Sequence, residues 1–195
     1  MGHELEVKYA ASEDALARIA QDAAVLRLAV SEETIPMETT YFDTPFGALS
    51  ARKWMLRVRR EGTRGVVTMK TAGDGRVRGE WEYEGDTVKD AAKRLCALGA
   101  PEELGEILRA QPIPVCGARF TRRALRLCFP DGSEAELALD SGVLFRAERQ
   151  SPLCEMELEL KRGAETAMLE LAEQLAKAYD LLPEQQSKFV RAAAL

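Results

Sequence analysis

Charged residues recur two apart along this chain. Glu4, Glu6 and Lys8 form one run, Arg57 and Arg59 a second, and Thr68 and Lys70 a third. Glu80, Glu82 and Glu84 follow, then Glu155, Glu157, Glu159 and Lys161. Alternate residues of a β-strand share a face, so each run predicts one charged face, with Leu5, Val7, Leu56, Val58, Trp81, Tyr83, Met156 and Leu158 on the other. A solvated one-sided sheet also alternates, but its charges are usually mixed, and like charges opposed across strands are unfavourable. Here the runs are sorted by sign. Sorted carboxylates suit a hard divalent cation such as Mg²⁺, which takes oxygen ligands from a few carboxylates plus substrate phosphates. Sorted Arg and Lys suit a condensed phosphate, with Arg supplying forked hydrogen bonds. Clustered carboxylates without a cation repel one another and drift toward protonation.

Other chemistries drop out by elimination. His3 is the only histidine, so a Ser-His-Asp or Cys-His nucleophile would rest on one residue at the chain end. HExxH and Cys₂His₂ metal sites are impossible, no Gly-Lys dipeptide offers a phosphate-binding Walker loop, and no G-x-G-x-x-G follows a strand. Ala72 to Arg76 reads as a hairpin turn. Cys96, Cys116, Cys128 and Cys154 lie far apart without a Cys-x-x-Cys pair, and are expected to be free, mostly buried thiols.

The 195 residues are 46% hydrophobic and 30% charged, with net charge −5. That length suits one domain over residues 1–195 with a proper core, and the acidic balance argues against a nucleic-acid partner. No apolar run approaches the roughly 18 residues of a membrane span. The acidic N-terminal residues do not resemble a signal peptide. A cytoplasmic address without a membrane partner is the expectation.

Strands are expected at Glu4–Tyr9, Thr34–Asp43, Trp54–Glu61, Val66–Thr71, Arg76–Glu84, Ile113–Thr121, Arg123–Phe129, Glu134–Asp140, Val143–Glu148 and Leu153–Lys161. Helices are expected at Glu13–Val25 after an Ser12 cap, Thr87–Leu98, Pro101–Ala110 and Ala164–Ala178, with a short one from Pro183. Turn signals every 8–12 residues predict an α+β fold, an antiparallel sheet closed or nearly closed into a barrel with helices packed outside.

The residues that carry these patterns also resemble a known family. Glu4-Leu5-Glu6-Val7-Lys8 is similar to the E-x-E-x-K signature of the CYTH domain, or triphosphate tunnel metalloenzymes. Thr40 to Pro45, Leu56 to Arg60, Thr68 to Thr71, Arg78 to Glu82, Leu139 to Gly142, Glu155 to Lys161 and Ser187-Lys188 resemble further blocks in the family's order. The resemblance implies an eight-stranded antiparallel β-barrel holding a small-molecule triphosphate and Mg²⁺ or Mn²⁺. It places Lys8, Arg57, Arg59, Lys70, Arg119 and Lys188 on phosphate oxygens, with Arg123 and Lys161 as further candidates. Glu4, Glu6, Glu157 and Glu159 would hold metal, joined by Asp140 and Glu155, while Glu80 and Glu82 would line the tunnel and orient its cations. Glu4, Glu6 and Lys8 form the expected catalytic set.

Three activities of the family compete: hydrolysis of inorganic triphosphate, hydrolysis of thiamine triphosphate, and cyclisation of ATP. Inorganic triphosphatase is favoured, with a metal-activated water as nucleophile and the Arg and Lys set stabilising the phosphoryl transition state. The cyclase branch usually has His-Phe several residues before E-x-E-x-K, whereas His3 directly precedes Glu4. A thiamine site would want an aromatic platform, and Trp81 has the parity opposite Glu80 and Glu82. A module that only binds polyphosphate or nucleotide would need the cations but not the full glutamate set. A homodimer is compatible with all of these readings.

Overall fold

The alternating runs become strands in the computed structural model, which describes residues 5–71 and 79–195. They are β1 (Glu6–Ala10), β2 (Ala29–Asp43), β3 (Met55–Glu61), β4 (Arg64–Lys70), β5 (Glu80–Glu84), β6 (Ile113–Cys128), β7 (Glu134–Arg146), β8 (Arg149–Arg162) and the two-residue β9 (Leu182–Pro183). The helices are α1 (Glu13–Ile19), α2 (Ala23–Leu28), α3 (Ala91–Ala97), α4 (Glu103–Ile107), α5 (Thr166–Ala178) and α6 (Lys188–Ala193). This is the expected α+β class. Hydrogen-bonded neighbours run β5-β4-β3-β2-β6-β7-β8-β1-β9, giving nine strands among the described residues where the family resemblance implies eight. The ninth pairs antiparallel with Tyr9 and Ala10, at the position where a final helix was expected; that helix starts instead at Lys188.

Three further expectations are revised. The helix read over Glu13–Val25 is two, because the Asp22 Oδ1 accepts the Ala24 N–H at 2.7 Å and caps a new start. Asp22 Oδ2 also accepts the Tyr179 hydroxyl at 2.8 Å, fixing the break to the end of α5. The pairs of strands read at 113–129 and 134–148 are each one long strand, β6 and β7. Thr121-Arg122 offers no turn residue, and at Ser141-Gly142 the strand continues through turn-prone residues. Finally, the four cysteines are free, but only Cys116 is buried and Cys128 is exposed. No helix among the described residues is long and apolar enough to cross a membrane.

The chain groups into two compact units. The first comprises residues 1–35, 120–143 and 152–187, the second residues 36–119, 144–151 and 188–195. In the first, α1, α2 and α5 bury Leu16, Ile19, Val25, Leu171 and Leu175 with Leu125, Leu127, Leu137, Met156 and Leu158 of the strands. In the second, α3 and α4 bury Leu95 and Leu104 with Leu56, Val58, Val67 and Met69. Trp54, Trp81 and Tyr83 pack against that second core, which is where the parity of β5 places Trp81 and Tyr83. Each core takes one parity of its strands and leaves the other parity to the charged side chains.

The second unit is also tied by the loop after β2. The buried Asp43 carboxylate accepts the N–H groups of Thr44 at 2.7 Å, Leu49 at 2.9 Å and Ser50 at 3.0 Å, and the Ser50 hydroxyl at 2.5 Å. Gly47, at φ +69°, supplies the left-handed residue this tight loop requires. Removing the carboxylate strands several buried donors at once. Asp43→Ala is therefore expected to cost about 2–4 kcal/mol in urea unfolding; a loss under about 0.5 kcal/mol would show that the loop is held by something else.

Candidate functional site

In the first unit the charged parity faces away from the helix-covered core. In the β1–β8 register Lys8 lies opposite Glu157 and Glu6 opposite Glu159. Two glutamates set directly across from one another favour a cation nearby. Lys161 Nζ lies 2.6 Å from Glu159. Asp140, Glu155 and Glu157 bring one carboxylate oxygen each within 4.8 Å of the others, and Asp140 and Glu155 are fully buried. Hard oxygen donors this close fit a divalent cation. Glu4 lies outside the described residues, as does the turn at Ala72–Arg76.

The residue that engages this cluster is Arg122. Its Nε donates to Asp140 Oδ1 at 2.8 Å and its Nη2 to Asp140 Oδ2 at 2.7 Å, a forked pair. Nη2 also donates to Glu157 Oε2 at 2.6 Å, and Glu136 Oε1 stands 3.9 Å from Nη1. Burial alone would loosen the guanidinium proton. The Asp140 hydrogen bond and the charges of Asp140, Glu157 and Glu136 outweigh it and hold the proton more firmly than usual.

Arg119 and Arg123 point elsewhere. They share the parity of Leu125 and Leu127, which belong to the core, whereas Arg122 has the opposite parity. The Arg119 side chain is 66% exposed, 3.6 Å from Glu38, with its guanidinium over the Phe145 ring. Arg123 forks onto Glu32, whose carboxyl it holds below the usual range. Sequence reasoning missed Arg122, although counting parity back from Leu125 and Leu127 would have singled it out.

In the second unit the charged parity of β3, β4 and β5 carries Arg57, Arg59, Thr68, Lys70, Glu80 and Glu82. Tyr41, Arg57, Thr68 and Glu82 stand in one cross-strand row. Lys70 lies 2.8 Å from Glu80, and Arg59 3.3 Å from Glu61. The Nε atom of the half-buried Arg57 is shielded from solvent and has no hydrogen-bond partner. Burial, reinforced by the like charge of Arg59, lowers its pKa to about 10 against the pull of Tyr41, Glu80 and Glu82. The guanidinium stays charged at neutral pH. Because its proton is held less firmly than in the unfolded chain, that charge costs stability there. Lys188, at the start of α6, contributes to the potential at the buried Tyr41 hydroxyl, and the Phe189 ring centroid is 5.0 Å from that of Tyr41.

Comparison with known proteins places the chain in a family. The CYTH-domain family model matches residues 2–193, and the chain belongs to that family. It is 25% identical over 193 residues to an inorganic triphosphatase of Haemophilus influenzae, covering 98% of this chain; the chain spans about half (54%) of that relative's length. Among solved structures it resembles HpAC1 from Hippeastrum, an adenylyl cyclase candidate described as having a dominant triphosphatase activity. That likeness has TM-score 0.64 at 18% identity and covers 98% of this chain and 95% of the other. The PH1012 protein of Pyrococcus horikoshii matches with TM-score 0.55 at 16% identity, over 95% and 96% of the two chains. These likenesses establish the fold.

The two arginines are in opposite electrostatic situations, and their removal should show it. Arg122→Met leaves Asp140 buried without its forked partner and is expected to lose about 3–5 kcal/mol in urea unfolding. Arg57→Met removes an uncompensated buried charge and is expected to gain about 1 kcal/mol. A gain for Arg122→Met together with a loss for Arg57→Met would mean that the assigned electrostatic roles are reversed.

Proposed function

We propose that this protein hydrolyses inorganic triphosphate to phosphate and pyrophosphate. The observation that carries this reading is the carboxylate trio of the buried Asp140 and Glu155 with the half-buried Glu157, because binding a polyanion needs cations but not carboxylates. The name of the Haemophilus influenzae relative points the same way. Asp140, Glu155 and Glu157 would hold the divalent cation, Mg²⁺ or Mn²⁺, with Glu6 and Glu159 beside them in the register. When bound, that cation supplies Lewis-acid neutralisation of the charge that builds up on the transferring phosphoryl group.

The chain's own residues do the rest. Arg57, Arg59 and Lys70 present donors to phosphate oxygens, where charge spreads in a loose phosphoryl-transfer transition state. Glu80 and Glu61 orient Lys70 and Arg59 through the ion pairs at 2.8 and 3.3 Å. Lys8, across from Glu157, keeps a positive charge among the carboxylates. Arg122 holds Asp140 and Glu157 in place. No general base of the histidine type is needed, which suits a chain with His3 alone.

The test is product analysis with the purified chain, Mg²⁺ or Mn²⁺, and tripolyphosphate, ATP or thiamine triphosphate in parallel. Phosphate plus pyrophosphate from tripolyphosphate, with little turnover of ATP, is the expected result. Cyclic AMP plus pyrophosphate from ATP would make it a cyclase, and metal-dependent binding without turnover would make it a carrier. Glu157→Gln is expected to lower kcat about 100-fold or more with the circular dichroism unchanged. Unaltered turnover would remove Glu157 from the metal set. Arg57→Ala is expected to raise KM about tenfold or more; an unchanged KM would remove Arg57 from the phosphate contacts.

A further inference from the structure

Thr68 sits fully buried in the middle of β4, and its hydroxyl has no hydrogen-bond partner. Buried hydroxyls almost always find one, and the fold does not ask for a hydroxyl here. The residues before it are Val66 and Val67, and valine suits a strand as well as threonine while burying no polar atom. Its cross-strand neighbour on β3 is Arg57, whose Nε is also buried and unpartnered. In-register antiparallel neighbours carry their side chains side by side on one face. Two orphaned donors therefore stand together, on the face that also carries Lys70 and Arg59.

We propose that Thr68 is a further substrate-binding residue, whose hydroxyl joins Arg57 Nε in hydrogen-bonding oxygen atoms of the bound triphosphate. A neutral donor at this position has a physical advantage over another cation. Arg59 already destabilises the charge on Arg57, and a third positive group in the row would add to that repulsion. A hydroxyl supplies a directional donor without charge, and a polyphosphate has more acceptor sites than the surrounding cations fill. The bound anion would satisfy both orphans at once. On the other flank, Glu82 faces Thr68 in register and accepts no hydrogen bond from it.

This assignment rests on the triphosphate reading above, and calorimetry with tripolyphosphate as the probe separates the two. The full chain is compared with Thr68→Val, Thr68→Ser and Arg57→Ala, and KM and kcat are measured beside the binding constants. Thr68→Val is expected to weaken tripolyphosphate binding about 10–100-fold, the loss of one hydrogen bond to a charged acceptor, and to raise KM by more than it lowers kcat. Thr68→Ser, which keeps the hydroxyl, is expected to restore binding to within about twofold of wild type. Thermal unfolding of Thr68→Val at or above the wild-type midpoint is expected, since an unsatisfied buried hydroxyl has been removed. If Thr68→Val binds like wild type while Arg57→Ala does not, the role of Thr68 is overturned and the triphosphate reading stands. Equal weakening by Thr68→Val and Thr68→Ser would assign the effect to packing and likewise overturn the proposal. A wild-type chain that does not bind tripolyphosphate overturns both.

Discussion

A strand offers its side chains two faces and no third. In each unit one face must be apolar, because the helices α1, α2 and α5 in one and α3 and α4 in the other have to bury their own apolar stripes against it. Most of the ionisable groups of β1, β3, β4, β5, β7 and β8 are thereby left to the remaining parity, whatever their mutual repulsion. That confinement sets Glu6 opposite Glu159 and brings Asp140, Glu155 and Glu157 together. It also places Arg57 and Thr68 side by side with unpaired donors. Charges gathered this way cannot all be solvated, and each must be offset by a partner, by a ligand or by the stability of the core.

The two arginines illustrate the two solutions. Arg122 is offset internally, forked onto Asp140 and bonded to Glu157. Its burial is more than repaid by opposite charge at hydrogen-bond distance. Arg57 is offset incompletely, with a like charge beside it and the opposing charges of Tyr41, Glu80 and Glu82 too weak to cancel the burial. Local strain of this electrostatic kind is what a preorganised anion site requires, because its donors must face the place where charge arrives.

The sequence made most of this legible through period two alone. The charged faces of β1, β3, β4, β5 and β8, and the core side of Trp81 and Tyr83, followed from alternation. What it did not reveal depended on tertiary choices. Arg119, Arg122 and Arg123 occupy both parities of one strand, and only the burial of Leu125 and Leu127 decides which arginine meets the carboxylates. The continuity of β7 through the turn-prone Ser141-Gly142 reflects its pairing with β6 and β8, which overrides local preference. The split between α1 and α2 turns on the Asp22 carboxylate, equally plausible in sequence as a solvated helix residue.

The division of labour between parities also separates two kinds of inheritance. Residues that keep each unit folded and residues that meet a ligand are interleaved one by one along the same strands, yet they are different positions. A substitution among the odd or even members of a strand can alter ligand preference while leaving the neighbouring side chains, and the packing they secure, untouched. Such a scaffold can drift in chemistry by exchanging single side chains, without passing through unfolded intermediates in sequence space. A buried, ion-paired residue such as Asp140 resists that drift, because any change there is first a change in stability.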